Sequence, residues 1–379
     1  MERIKVLQVI GTLRIGGAET VAMNLYRFID RERFEFHYLV YGDSVGDYED
    51  EVKALGGLVI HTKCSIREKI NFSHVLKQIY KMYGPYEIVH VHMMFHNGVV
   101  LSAAKKVGIP VRISHAHSTN GGGENRGCNR IIHAIYSLYE RWLINRTANI
   151  LISCGNDAGV FLYGKRAFDK RCIVIKNGID VSKYKFDTRL RNIYRKKYNL
   201  SGKIVFGCVG HFEKVKNHAF LIDVFSEFCM QERASELVLL GDGILRSTIE
   251  NQCLELKIKD KVLIMGNVND VGNWMNAFDC LLMPSIFEGM PLALIEAQAS
   301  GLKCIVSQNI SAEIDITGHV GFLPLDKKNW IEEMKKCSIG ERFESDEMRI
   351  KESGYSVERN VKELEEIYIH TINEGMNKI

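Results

Sequence analysis

The sequence predicts an α/β protein built from two doubly wound, Rossmann-like domains. Three observations carry that reading. Short apolar runs of strand length alternate with segments of helical spacing, the pattern of βαβ units and hence of parallel sheets with helices on both faces. At 379 residues the chain exceeds one ordinary core and fits two domains of common size. Eleven strand-like runs are also more than a single open sheet usually holds.

Six of those runs come first, at residues 6–10, 36–40, 88–91, 111–114, 150–153 and 172–175. A second series follows at 204–209, 237–240, 262–265, 280–283 and 304–306. Helical spacing fills the intervals, for example over 18–28, 218–228 and 292–299. The break falls at the turn Asn177-Gly178-Ile179-Asp180, ahead of a basic helical stretch over 187–198. The first domain is therefore expected to span 1–180 and the second 181–354. A last helix over 357–372, with no strand after it, is expected to join the first domain within 355–379.

A hydrophobic content of 46% and a charged content of 25% are those of a soluble globular protein. No apolar run approaches the roughly 20 residues that span a bilayer. The strand pattern at 4–10 has no signal-peptide pattern ahead of it. Ten cysteines are scattered without a Cys-x-x-Cys pair, which points to neither a zinc site nor a disulfide framework. The expected location is cytoplasmic, with peripheral contact on the inner face of the membrane as an option. Charge is uneven, since residues 101–200 hold 19 Lys and Arg against 6 Asp and Glu. Such a block attracts phosphates, nucleic acid or an anionic membrane, or simply solvates helix faces. Nucleic acid is the weaker choice, because zinc-finger, RNA-binding aromatic and basic-arm patterns are missing.

The most informative segment runs over 284–301, Pro-Ser-Ile-Phe-Glu-Gly-Met-Pro-Leu-Ala-Leu-Ile-Glu-Ala-Gln-Ala-Ser-Gly. Glu288 should sit at the carboxyl end of a buried strand, where open α/β sheets bind ligands. Glu296 follows two turns into the next helix. Two hydroxyl-accepting carboxylates beside helix-start amides suit a ligand with both hydroxyls and phosphate, such as a nucleotide sugar. The first strand ends in Gly11-Thr12-Leu13-Arg14-Ile15-Gly16-Gly17, whose paired glycines expose backbone amides but lack the dinucleotide spacing. His90, His92, His96, His115 and His117 follow two strand ends. They suit hydrogen bonding to hydroxyls, a metal centre being the alternative that lacks a neighbouring carboxylate or cysteine. In the second domain, Gly210-His211 leads within six residues to Lys216 at a helix start, a cation aimed at an anion. Gly241 and Val268 lie in loops on the same sheet edge. The chain has no Asp-x-Asp and no Walker pattern, so diphosphate neutralisation would fall to Lys216 and helix termini rather than a metal.

Taken in order, Gly16-Gly17-Ala18-Glu19, Ser114-His115-Ala116-His117-Ser118, Asn177-Gly178-Ile179-Asp180, the 209–218 segment and the Glu288–Glu296 motif resemble a known family. It is the retaining GT-B glycosyltransferases, the group that includes bacterial capsule, exopolysaccharide and lipopolysaccharide transferases and sucrose-phosphate synthase. The resemblance covers almost the whole chain and implies two Rossmann-like domains facing a central cleft. It implies that Gly16 and Gly17 sit by the diphosphate and transferred sugar, and that His117 bonds that sugar near its primary hydroxyl. Lys216 would neutralise the diphosphate, and Glu288 would hold sugar hydroxyls. The backbone of Gly289, Met290, Pro291 and Leu292 would add phosphate or sugar contacts, and Glu296 would bind the ribose hydroxyls. His211 stands where the family usually has arginine, a weaker diphosphate partner that Lys214 would supplement.

The implied reaction moves a hexose or N-acetylhexosamine from a nucleotide sugar, expected to carry UDP, to an oligosaccharide or undecaprenyl-diphosphate-linked acceptor. No cofactor or metal is expected. A 2-epimerase of the same fold and a noncatalytic nucleotide-sugar-binding subunit are the alternatives. For the acceptor, the segment 131–143 carries Ile131, Ile132, Ile135, Leu138, Tyr139 and Trp142, flanked by Arg130, Arg141 and Arg146. It reads either as a membrane-surface helix or as a core-facing helix with basic ends.

Overall fold

The computed structural model describes residues 3–63, 69–118, 130–232, 234–344 and 347–376. The chain forms two compact units, Met1–Gly178 with Val357–Ile379 and Ile179–Ser356. Each is an α/β unit around one parallel sheet.

The first unit holds β1 (Ile4–Val9), β2 (Phe34–Tyr41), β3 (Leu58–Thr62), β4 (Ile88–Val91), β5 (Val111–Ala116), β6 (Ile150–Ser153) and β7 (Cys172–Val174). Their spatial order is β3-β2-β1-β4-β5-β6-β7. The chain winds outward from β1 on one side and then returns to β4 on the other. The order therefore reverses between β1 and β4, and that is where a crevice opens at the carboxyl ends of such a sheet. β1 shows why the strands hold together: Val6, Leu7 and Val9 are fully buried, and the polar Gln8 is buried with them. In register, Gln8 lies beside His90 of β4. The helix Val357–Met376 belongs to this unit and buries Val357, Val361, Leu364 and Tyr368 at helical spacing. Its Asn360 amide donates to the Lys176 carbonyl at 2.6 Å.

The second unit holds β8 (Ile204–Val209), β9 (Ser235–Leu240), β10 (Val262–Gly266), β11 (Cys280–Met283), β12 (Lys303–Ser307) and β13 (Val320–Leu323). They are ordered β10-β9-β8-β11-β12-β13, so the reversal falls between β8 and β11. β9 and β11 are buried at every residue, as strands covered on both faces must be. The thirteen strands among the described residues exceed the eleven expected. The additions, β3 and β13, each lie at a sheet edge, where a short half-buried run has little apolar contrast for a sequence pattern to show.

The basic stretch expected over 187–198 is the helix Thr188–Lys197, capped by the Asp187 carboxylate, which accepts from the Arg189 and Leu190 amides. Two of its cations are not solvated. Arg191 and Arg195 are buried against Asp279, which lies at the start of β11, at 2.5 and 3.0 Å. Asp279 also accepts from the amides of Val205 and Gly340, each at 2.8 Å. This carboxylate therefore ties the helix, β8 and the segment beyond the last strand to one buried point. Asp279→Ala should leave two buried guanidinium groups unpaired and lower stability by on the order of 3–5 kcal/mol. Urea unfolding checks this, and a midpoint equal to the parent's would contradict it.

Candidate active site

In the second unit Lys216 and Glu288 lie in the loops at the β8/β11 reversal, while Gly241 follows β9 and Val268 follows β10. After β8 the chain passes Gly210, turns through Lys214–Lys216, and enters the helix His218–Gln231. After β11 it passes Pro284 to Glu288 and enters the helix Leu292–Ala299. Two hydrogen bonds staple the loops together. The Ile286 amide donates to the Val215 carbonyl at 2.8 Å, and the Asn217 side chain donates to the Pro284 carbonyl at 3.2 Å.

That stapling places the Lys216 ammonium against a Glu288 carboxylate oxygen, although 72 residues separate them. Ser285 donates to the same oxygen at 3.2 Å. Gly210 makes room for the lysine, since a Cβ there would stand 3.1 Å from Lys216 Cε in a backbone with φ 153°. Gly241, at the end of β9, is tighter still. Its Cβ would meet the Gly210 carbonyl oxygen at 2.1 Å, so the two strand ends pack backbone to backbone. His211 is part-exposed beside the Asp242 carbonyl at 3.4 Å, and Lys214 is exposed. Val268, Met290 and Leu292 are partly buried and pack against the core. A Cβ at Gly289 would meet nothing within 4 Å, and no side chain caps the helix that starts at Leu292.

Glu296 is buried on the first turns of that helix, and Tyr184 donates to it at 2.7 Å. Burial lifts its carboxyl to about 7, the tyrosine hydrogen bond acting in the opposite direction. Tyr184 was not among the expected site residues. It lies in a short turn 112 residues before its partner, and nothing local marks it.

In the first unit, Gly16 caps the helix Gly17–Phe28 in extended backbone with no side-chain cap, next to the β1/β4 reversal. The histidines separate into two groups. His96 packs on Tyr136, with ring centroids 5.7 Å apart. His90 and His115 lie within β4 and β5 rather than beyond them, and with His92 and His117 they form a two-by-two array on one sheet face. The period-two alternation of strands puts them there. His92 Nδ1 and His117 Nε2 are 2.7 Å apart, and His90 Nε2 and His115 Nδ1 are 3.2 Å apart. Outside the array, His92 Nε2 meets Gln8 Oε1 at 2.9 Å, while His90 Nδ1 meets the Tyr368 hydroxyl at 2.7 Å. Burial lowers the imidazoles of His90 to about 3 and His117 to about 4, and pushes those of His92 and His115 well below the usual value. All four are neutral at pH 7.

His90, His92 and His115 bring nitrogens within 4.8 Å of one another, close enough to consider a metal ion. The group contains no carboxylate. Five of the six nitrogens of these three rings already have hydrogen-bond partners, and His115 Nε2 has none among the described residues. Neither Gln8 nor Tyr368 was expected here. Gln8 sits inside a strand pattern, and Tyr368 comes from the other end of the chain.

Comparison with known proteins gives this geometry its class. Residues 191–336 match the model for glycosyl transferases group 1, and residues 15–183 match that for glycosyltransferase family 4. Over 373 residues the chain is 32% identical to EpsF of Bacillus subtilis (strain 168), a protein named as a glycosyltransferase, with 96% of each chain covered. It is 25% identical over 314 residues to the Escherichia coli UDP-Gal:alpha-D-GlcNAc-diphosphoundecaprenol alpha-1,3-galactosyltransferase, covering 80% of this chain and 79% of that one. Among solved structures, Anabaena Alr3699/HepE in complex with UDP and glucose has a TM-score of 0.75 at 16% identity, over 96% of this chain and 99% of the other. The chain belongs to the group 1 glycosyltransferases, with the two-sheet GT-B fold, the family that contains capsule-building enzymes.

Glu296 yields a prediction with a definite sign. Its carboxyl titrates near 7 in the folded chain and near 4.5 when unfolded. The folded state thus keeps a proton that the unfolded state releases. Its contribution to stability is complete below about 4.5 and is lost as pH rises to about 7, by on the order of 3 kcal/mol. Glu296→Gln stays neutral, so it should match the parent near pH 4 and exceed it at pH 8. Thermal or urea unfolding at both pH values measures this, and coincident curves at pH 8 would contradict it.

Proposed function

We propose that the chain is a retaining, metal-independent glycosyltransferase that takes a hexose or N-acetylhexosamine from a UDP-sugar. The acceptor in this reading is a saccharide carried on a lipid diphosphate, as in capsular or exopolysaccharide assembly. The observation that carries it is the Lys216–Glu288 contact at the β8/β11 reversal. It places a cation for a diphosphate beside a carboxylate for sugar hydroxyls. The buried carboxylate of Glu296 lies on the helix that follows, suited to a ribose diol.

The chemistry follows from these groups. An entering diphosphate competes with Glu288 for the Lys216 ammonium, which then stabilises charge on the leaving phosphate as the anomeric bond breaks. Glu288, released from the lysine, accepts from hydroxyls of the sugar, and His117 is the first unit's candidate for a sugar hydroxyl. The acceptor hydroxyl attacks on the face the diphosphate leaves, with a phosphate oxygen taking its proton, so configuration is retained without an enzymic nucleophile. Catalysis is positioning together with leaving-group stabilisation.

Support for a lipid-borne acceptor comes from the helix Arg130–Thr147. Ile132, Ile135, Leu138 and Trp142 are each more than half exposed on it, and the Arg146 guanidinium lies 5.5 Å from the Trp142 ring centre. A core-facing reading does not describe these side chains. Arg141 does not belong to a basic flank, because it donates to the carbonyls of Phe161 and Leu162. Arg130 and Ile131 have side chains outside the described residues. No helix among the described residues is long and apolar enough to cross a membrane, so this face would lie on a bilayer surface.

Lys216→Ala should lower turnover of the UDP-sugar by roughly 10²–10³-fold, while a chelator leaves the parent enzyme unchanged. Chelator inhibition reversed by a divalent cation would overturn the metal-free part. The protein should also co-sediment with anionic vesicles at low salt and be released by Leu138→Glu with Trp142→Glu. Equal retention of that double variant would remove the helix from the membrane reading.

A further inference from the structure

Tyr184 ends the short turn Val181–Tyr184 near the start of the second unit, and the segment around it is fixed at three points. Upstream, the Lys183 amide donates to the Asp180 carbonyl at 3.1 Å. Downstream, the Asp187 amide donates at 2.7 Å to the side-chain oxygen of Asn276, on the helix Val271–Ala277. Asn276 is itself held, its side chain donating to the Gly272 carbonyl at 2.9 Å. Between these ties the tyrosine ring lies over Gly272. A Cβ there would stand 3.6 Å from two ring carbons and 3.0 Å from the Lys183 carbonyl oxygen.

A ring held in this way delivers its hydroxyl to one place, Glu296 Oε1 at 2.7 Å. A carboxylate offers about four lone-pair positions in its plane, so one donor of fixed position orients the others. Glu296 is buried but not sealed, with 7% of its surface still exposed. Charge matters as well as orientation. An ionised carboxylate accepts from both hydroxyls of a vicinal diol, whereas a protonated one spends an oxygen on its own hydrogen. Burial favours the protonated form, and the tyrosine hydrogen bond favours the ionised one. Tyr184 is the titratable side chain that acts on Glu296. Elsewhere around this helix, Val271–Ala277 carries no charge, and Lys183 pairs with Asp180 at 3.4 Å. Lys303 of β12 pairs with Glu333 at 2.9 Å, and the helix Glu347–Ile350 carries Arg349 and Glu347, the latter paired with Lys351.

We propose that Tyr184 is a positioning residue that holds the Glu296 carboxylate in the orientation that accepts from two adjacent ribose hydroxyls, making the second unit selective for ribonucleotide over deoxyribonucleotide donors. This rests on the reading that Glu296 binds the ribose. A deoxyribose leaves one held acceptor unmatched, and sites built to bond a hydroxyl reject analogues that lack it.

Calorimetric titration of the full chain with UDP, ADP and GDP, and with their 2′-deoxy forms, tests the proposal. The parent should bind a ribonucleotide about ten-fold or more tightly than its deoxy form. Tyr184→Phe keeps the ring over Gly272 and removes the hydroxyl alone. It should cost about ten-fold on the ribonucleotide and little on the deoxy form, and in turnover it should raise the donor KM with kcat little changed. Relative to the deoxy form, which carries the same diphosphate, ribonucleotide affinity in the parent should rise as pH increases through about 7, where Glu296 ionises. In Tyr184→Phe that rise should come at higher pH, because the hydrogen bond favouring the carboxylate is gone. Equal losses on both nucleotides, or an unmoved pH midpoint, would reduce Tyr184 to a packing role and overturn the proposal. Glu296→Leu separates this from the reading beneath it. If that variant keeps the parent's preference for ribose, or if the parent binds none of the six nucleotides, the ribose reading fails and the tyrosine's role with it. If Glu296→Leu loses the preference while Tyr184→Phe keeps it, the tyrosine's role alone fails.

Discussion

Parallel pairing is the constraint on which the rest depends. Every pairing between the named strands is parallel. All strands of a sheet therefore end on one edge, and each must be followed by a crossover before the next begins. Loops that carry chemistry are thereby concentrated on that edge, at the point where the winding reverses. The β8/β11 reversal explains why Lys216 and Glu288 meet, and the β1/β4 reversal explains why Gln8 stands beside His90.

Burial performs opposite tasks in the two units. Around Glu296 it raises a carboxyl toward neutrality, which makes that group sensitive to pH in the range where the protein would work. Around the histidines it lowers four imidazoles until none is charged, and a neutral ring has a direction, one nitrogen giving and the other receiving. A charged ring would donate at both nitrogens. Asp279 is a third case. There, buried charge is balanced by two arginines and two amides, and its work is to hold the second unit together.

Much of this was legible beforehand because it depends on local patterns. Alternating apolar runs signalled the sheets, and the Glu288–Glu296 motif with Lys216 marked the two loops that meet at the β8/β11 reversal. The edge strands β3 and β13 were not legible, since edge burial is partial. Nor were Tyr184, Gln8 and Tyr368, whose partners lie 112, 84 and 278 residues away. No spacing rule spans such distances. In the sequence Arg191 and Arg195 read only as members of a basic block and Arg141 as a basic flank, but each is spent on an internal acceptor that only packing supplies.

The sequence by itself determined the periodicities, and through them two parallel sheets with acidic, basic and glycine-bearing loops at strand ends. It also determined membership of the group 1 glycosyltransferases, because ordered motifs survive in the linear text. Tertiary structure decided which charges are paired, which carboxyl stays protonated and which face of the helix Arg130–Thr147 meets solvent. It alone brought the four histidines into one array. The physical reason is the same throughout: protonation and pairing depend on the dielectric and on partners within about 3 Å, and both are set by contacts between segments remote in sequence.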